Sequence, residues 1–231
     1  SLAGWHLQAL EAALNAGAEN RGLQTTIATG VRGLTVMADP ASGMFRYSTR
    51  MSKEGPNMSM TGVGVLCMQL TGHAIDAEAR AGSKALGNLS FRWLKTEPNL
   101  PNQDLRQVGI WPLYAWYYIT QARFQQGGKD WITWNKQFAP ILCAMQNNDG
   151  SWCPPPAAYT VREVGVSNEA RFGPVYSTAL SCLMLEVYYR ILPTYAPIQV
   201  EKPAVEEPTK ADEEIVIRFG SSATTLATVS S

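Results

Sequence analysis

Charge is scarce in this chain of 231 residues. Asp, Glu, Lys and Arg make up 16% of it, against roughly 25% in an ordinary soluble domain. The 19 basic residues balance 19 acidic ones, so no overall field steers the chain towards a partner. Neither a Lys/Arg-rich run nor a nucleic-acid-binding motif is present, which sets nucleic acid aside. Long apolar runs are missing as well. Residues 60–70 end at Thr71-Gly72-His73, short of the roughly 20 apolar residues of a membrane span, and no transmembrane segment is expected. The four cysteines, Cys67, Cys143, Cys153 and Cys182, form no CxxC pair, which disfavours a structural zinc site and a disulfide framework. Cys67, Cys143 and Cys182 lie in apolar helical patterns, where a free thiol is expected to behave as a small buried hydrophobe. Reducing, cytoplasmic surroundings fit this usage, with a periplasmic location open if an export signal lies upstream. The chain enters a helical pattern at Gly4-Trp5-His6-Leu7 with no initiator Met or signal sequence, so it reads as a fragment whose preceding part is missing.

What is present is apolar and helical. Hydrophobic residues reach 45%, too many for a disordered chain. Leu180, Leu183, Met184, Val187, Tyr188 and Ile191 recur at helical spacing between Pro174 and Pro193. Trp131, Trp134, Asn135, Phe138, Leu142 and Met145 make a second stripe with Asp130 at the expected N-cap. Residues 110–119, with five aromatics, and residues 60–70 are apolar all round and must be surrounded by protein. Residues 5–14 belong with them. Each is followed by a more polar segment, 23–37 after the first and 76–94 after the second, so inner and outer helices are expected to alternate. The count is seven helices at a spacing near 50 residues per pair, the period of stacked helical hairpins. From Pro197 the composition turns acidic and Pro-containing, which predicts a body over residues 1–196 and a flexible tail over 197–231. Only Glu214-Ile215-Val216-Ile217-Arg218-Phe219 in that tail could form a short strand.

One segment carries a motif: Lys136-Gln137-Phe138-Ala139-Pro140-Ile141-Leu142-Cys143-Ala144-Met145-Gln146-Asn147-Asn148-Asp149-Gly150-Ser151-Trp152. Gln146 at a helix end can satisfy unpaired backbone groups, Asp149-Gly150 can turn the chain, and Trp152 can stack back over the polar side chain. A degenerate copy runs over residues 31–47, with Met37 for the glutamine and Phe45 or Tyr47 for the tryptophan. Small-residue patches, Ser59-Met60-Thr61-Gly62 and Tyr176-Ser177-Thr178-Ala179, follow the two copies. The pattern resembles the QW repeat of the terpenoid-cyclase and protein-prenyltransferase α/α-toroid superfamily. Over residues 1–195 the chain is similar to bacterial squalene-hopene-cyclase-like proteins of the prenyltransferase/squalene-oxidase repeat type. The resemblance rests on Thr61-Gly62-Val63-Gly64-Val65-Leu66-Cys67, Trp116-Tyr117-Tyr118-Ile119-Thr120-Gln121, Trp131-Ile132-Thr133-Trp134-Asn135 and Val175-Tyr176-Ser177-Thr178-Ala179-Leu180. It implies an all-α fold, a partial α/α-toroid, whose open face a missing half, a second chain or another domain would cover.

The chemistry that the resemblance implies lacks its residues. No Asp-x-Asp-Asp acid is present; the closest acidic pair of the body, Asp76 and Glu78, sits at a helix start where capping explains it. His73 could meet Cys67 and Asp76 around a zinc ion, but a turn residue is the simpler reading. His6 has no acidic partner one turn on, and no Gly-Cys-Gly-Glu-Gln thioester stretch occurs. No metal or cofactor is expected, and no catalytic residue is assigned. The aromatics Trp111, Tyr114, Trp116, Tyr117, Tyr118 and Tyr176 are the candidate ligand contacts, by analogy with cyclase cavities whose rings stabilise cations. Tyr188 and Tyr189 share their ambiguity, since inner-helix aromatics also fill core. Two functions stay open. One is a toroid that binds an isoprenoid, another apolar molecule or a protein on its concave face; the other is an isoprenoid cyclase whose acid lies in absent sequence.

Overall fold

The computed structural model describes residues 1–49, 55–87, 89–93, 109–158 and 164–189. The expected acidic tail lies outside them. The described chain is mostly helical: α1 (Leu2–Asn15), α2 (Leu23–Met37), α3 (Met58–Leu70), α4 (Ala77–Gly87), α5 (Pro112–Gln126), α6 (Gly128–Ala144) and α7 (Gly173–Leu185). A short antiparallel hairpin, β1 (Pro156–Ala158) with β2 (Val164–Val166), pairs Ala157 with Gly165. Turns of 3-10 helix cover Asn168–Phe172 and Glu186–Tyr189. No helix among the described residues is long and apolar enough to cross a membrane.

Burial divides the helices into two kinds. In α3 every residue from Met60 to Gln69 is buried, and in α5 all of Ala115 to Arg123 are. The outer helices bury one stripe each: Ile27, Val31 and Leu34 in α2; Ala79, Gly82 and Leu86 in α4; Trp134, Phe138 and Leu142 in α6. Such stripes at three- and four-residue spacing hold a helix on a core with its other side in water. The order of packing follows. α3 lies between α1 and α5, α5 touches α3 and α7, α2 packs on α1 and α3, α4 on α3 and α5, and α6 on α5.

Four elements depart from the sequence expectation. The polar segment 76–94 is helical only to Gly87, because the Arg123 guanidinium donates to the carbonyls of Leu86 and Leu89 and closes the helix end. Asp130 is not the N-cap of α6. Gly127 and Gly128 take φ of 66° and 57°, a conformation glycine adopts freely, so the helix starts before Asp130 and leaves it in the first turn. The stripe that begins in α7 tightens to 3-10 geometry after Leu185, while Ile191 and Pro193 lie outside the described residues. The hairpin has no anticipating signal, since three-residue strands beginning at a proline show no alternation.

Two close approaches to α3 depend on glycine, one by α5 and one by the Phe45 ring. A Cβ on Gly62 would stand 3.1 Å from Ile119 Cγ1 and 3.2 Å from the Ile119 nitrogen, and one on Gly64 would stand 2.4 Å from the Phe45 ring. Gly64→Ala is therefore expected to destabilise the fold by about 1–3 kcal/mol through overpacking. Gly33→Ala, on the open face of α2 with nothing within 4 Å, should stabilise it by up to about 1 kcal/mol. Urea unfolding of both variants checks the contrast; equal effects would contradict the packing.

Candidate functional site

Two tight turns, one after α2 and one after α6, are tied to the next α-helix by the same bond. After α6, Gln146 and Trp152 pair as an antiparallel bridge around Gly150, whose φ is 85°. Asp149 Oδ1 accepts the Ser151 N–H and hydroxyl at 3.0 and 2.7 Å, and these bonds hold its carboxyl below the ordinary range. Trp152 is buried; its indole N–H donates to the Leu142 carbonyl at 2.7 Å and its backbone N–H to Thr178 Oγ1 at 3.0 Å. The division of labour differs from the expected one. Gln146 donates to the Gly150 carbonyl at 2.9 Å and closes the turn, while Trp152 satisfies the helix end.

After α2, Ala38 pairs with Phe45 in the same way. Asp39 accepts from the Ser42 N–H and hydroxyl and pairs with Arg46 at 2.6 Å. Phe45 is buried, Tyr47 is exposed, and the Phe45 N–H donates to Thr61 Oγ1 at 3.0 Å. Thr61 in the first turn of α3 and Thr178 in the second turn of α7 thus each accept the backbone N–H of a turn aromatic.

The aromatics of α5 part into two groups. Trp116 turns into the core, 4.5 Å from Phe91 and 5.7 Å from Trp93 by ring centroids. Tyr117 and Tyr118 lie beneath Trp5 of α1, which is 42% exposed and stacks on Tyr117 at 5.8 Å and 19° while meeting Tyr118 edge-on at 5.7 Å. Tyr114 continues the row, 4.9 Å from Tyr118. A second group joins Trp111 to Phe172 at 6.2 Å and Phe172 to Tyr176 at 5.2 Å. Trp111, Tyr114 and Tyr176 are half-buried, and Leu2, one turn before Trp5, is exposed. The structure therefore brings an open aromatic face together from α1, α5 and α7, with Trp5 and Phe172 as exposed rings. The sequence pattern around Trp5 did not distinguish it from core.

Polar groups are sparse on this face. Gln8 Nε2 donates to the Tyr118 hydroxyl at 3.4 Å and to the Gly4 carbonyl at 3.2 Å. Burial pushes the Tyr114 hydroxyl up to about 12 and those of Tyr117, Tyr118 and Tyr176 upward, so all four stay protonated at neutral pH. The Cys67 thiol, buried beside α1, rises to about 12 and donates to the Gly4 carbonyl at 3.6 Å, which makes it a poor nucleophile. Cys143 and Cys182 are exposed rather than buried, because each falls on the far side of its helix from the core stripe. His73 Nδ1 lies 2.9 Å from Asp76 Oδ2, but Cys67 is engaged elsewhere. Among the described residues no three His, Cys, Asp or Glu side chains converge as metal ligands. Glu78 sits in the first turn of α4, where a negative charge favours the helix dipole. Exposed His6 lines a shallow groove of about 550 Å³ between α1 and α2, with Leu7, Leu10 and Thr26.

Glu169 has no precedent in the sequence reading. It is wholly buried, and its two oxygens accept the N–H groups of Leu113 at 3.0 Å and Tyr114 at 2.8 Å. The only hint lies in α5, whose N-cap residue is Trp111, a side chain that accepts no cap bond. An acceptor for its first-turn N–H groups has to come from a distant segment, and nothing local says which.

The chain matches no protein-family model, no curated protein and no solved structure.

Trp152→Ala is expected to cost about 3–5 kcal/mol, as removal of a buried large aromatic does. Thr178→Val, which leaves the Trp152 N–H without its acceptor, should cost about 1–3 kcal/mol. Thermal unfolding of the two variants gives the comparison, and an unchanged midpoint for Trp152→Ala would overturn the role of this turn.

Proposed function

We propose that this chain is part of an α/α-toroid of the terpenoid-cyclase and prenyltransferase type, and that it serves as a binding scaffold for an apolar ligand of isoprenoid character. The observation that carries the reading is the open aromatic face, where exposed Trp5 lies on Tyr117 and Tyr118 and the half-buried Tyr114 and Tyr176 stand nearby. A solvated indole flanked by buried rings leaves apolar area that a hydrocarbon chain would remove from water, at about 25 cal/mol per Å².

The toroid reading draws support from two features. From α2 to α6, helices that bury one stripe alternate with enclosed ones, as stacked hairpins require. The two turns repeat one bonding scheme, an aromatic backbone N–H on a threonine hydroxyl of the next α-helix. Binding rather than proton transfer fits the chemistry of the face. Its hydroxyls are held protonated by burial, and the buried carboxyl, Glu169, has both oxygens engaged by backbone N–H groups of α5.

Farnesol and squalene, titrated against intrinsic tryptophan fluorescence, test the proposal. Saturable binding is expected, with Trp5→Ala weakening it about tenfold, the equivalent of about 1.4 kcal/mol. The absence of saturable binding, or an unchanged affinity in Trp5→Ala, would refute it. Conversion of squalene or a prenyl diphosphate to a new product by the full-length protein would replace the scaffold with an enzyme.

A further inference from the structure

The 3-10 turn Asn168–Phe172 joins β2 to α7, and three kinds of contact pin it to α5. The Asn168 N–H donates to the Ile110 carbonyl at 3.1 Å. Glu169 accepts the first-turn N–H groups of Leu113 and Tyr114. Phe172 bridges Trp111 and Tyr176 through its ring. The turn thus acts as a strap across the N-terminus of α5, held at its centre by one carboxyl with no solvent exposure.

Among the described residues no counter-charge pairs with that carboxyl. Arg171, on the same turn, lays its guanidinium over the rings of Trp111 and Phe172 at 5.1 and 5.0 Å; among the described residues no ion pair involves Glu169. The titratable group that interacts with it from a neighbouring helix is the Tyr176 hydroxyl on α7, uncharged at neutral pH; α5 meets it through backbone N–H groups. On the β2 side Ser167 Oγ is buried and has no hydrogen-bond partner. Among the described residues, an ionised Glu169 is therefore a buried charge stabilised by two N–H groups and the positive end of a helix dipole. A protonated one carries no charge to desolvate and retains lone pairs on both oxygens.

We infer that the strap Asn168–Phe172 is a pH-sensitive device, docked on α5 while Glu169 carries its proton and loosened when Glu169 ionises. Loosening would lift Phe172 off Trp111 and Tyr176 and widen access to the side of the aromatic face that holds Tyr114. The inference stands whether or not that face binds an isoprenoid.

The direction of the effect follows from linkage. Burial, opposed by the two N–H bonds, raises the Glu169 carboxyl from 4.5 to about 7. A proton held more tightly in the docked state favours docking at low pH. Docking is strongest below about 4.5, weakens by up to about tenfold per pH unit between there and about 7, and then levels off.

Hydrogen exchange of the intact chain, read by mass spectrometry from pH 5 to 8 and corrected for intrinsic rates, tests this. Protection over residues 110–118 and 165–176 is expected to fall by about tenfold per pH unit from pH 5 to 7 and to level off above. In Glu169→Gln the same segments should show no pH dependence. A flat profile in the wild type, or a parallel slope in the variant, would overturn the inference. Should Glu169→Gln fail to fold, the carboxyl carbon resonances of glutamate-labelled wild type decide the matter. One glutamate titrating near neutrality, with contacts to the Leu113 and Tyr114 amides, supports the strap; glutamates all titrating in the ordinary carboxylate range refute it.

Discussion

The contact between α3 and α5, two helices enclosed by protein, is the constraint on which the other elements depend. Their backbones approach at Gly62, where a Cβ would crowd Ile119 and Tyr118, while Gly64 on α3 makes room for the Phe45 ring. Every polar side chain in such helices needs a protein partner, because no water reaches it. Several of those partners are structural. Gln69 donates to the Ala122 carbonyl across the interface, Thr120 accepts the Trp134 indole N–H from α6, and Arg123 closes the end of α4 while lying over the Trp134 ring. The outer helices are placed by these bonds as much as by their apolar stripes.

The same logic extends to the turns and to the strap. Thr61 at the start of α3 and Thr178 in α7 each accept a backbone N–H from an aromatic whose ring is buried nearby. Each turn couples a short polar bond to a large apolar anchor, so neither the register of the incoming helix nor the position of the ring can slip alone. Glu169 performs a related task on α5 with a titratable group. Where threonine gives a bond indifferent to pH, a buried carboxyl makes the joint depend on protonation. The aromatic face lies between these fixtures, its rings on α1, α5 and α7 aligned by how the three helices are seated.

Helix positions were largely legible in the sequence, since the 3.6-residue period depends only on which residues are apolar. The bounds of α2 match the expected 23–37, and α1, α3 and α6 lie within a few residues of theirs. The enclosure of α3 and α5 was also visible, because each is apolar on all sides, but α1, expected to be enclosed with them, buries only Gly4 and Leu7 and leaves Trp5 exposed. The ends of α4 and α7 were not visible. They are set by a guanidinium arriving from α5 and by a tightening of the last turn, neither of which leaves a local mark.

Of the candidate site residues, the sequence determined identity and spacing: five aromatics in and beside α5, and a Gln, Asp, Gly and Trp around one turn. Tertiary structure alone decided their roles. It sent Trp116 into the core beside Phe91, set exposed Trp5 over Tyr117 and Tyr118, and exchanged the expected tasks of Gln146 and Trp152. It also carried Glu169 to a helix start more than fifty residues upstream. Periodicity reports which face of a helix is apolar, a property of neighbouring residues. Which ring covers which, and which distant acceptor closes a helix end, depends on contacts between segments far apart in the chain, and these exist only once the helices have packed.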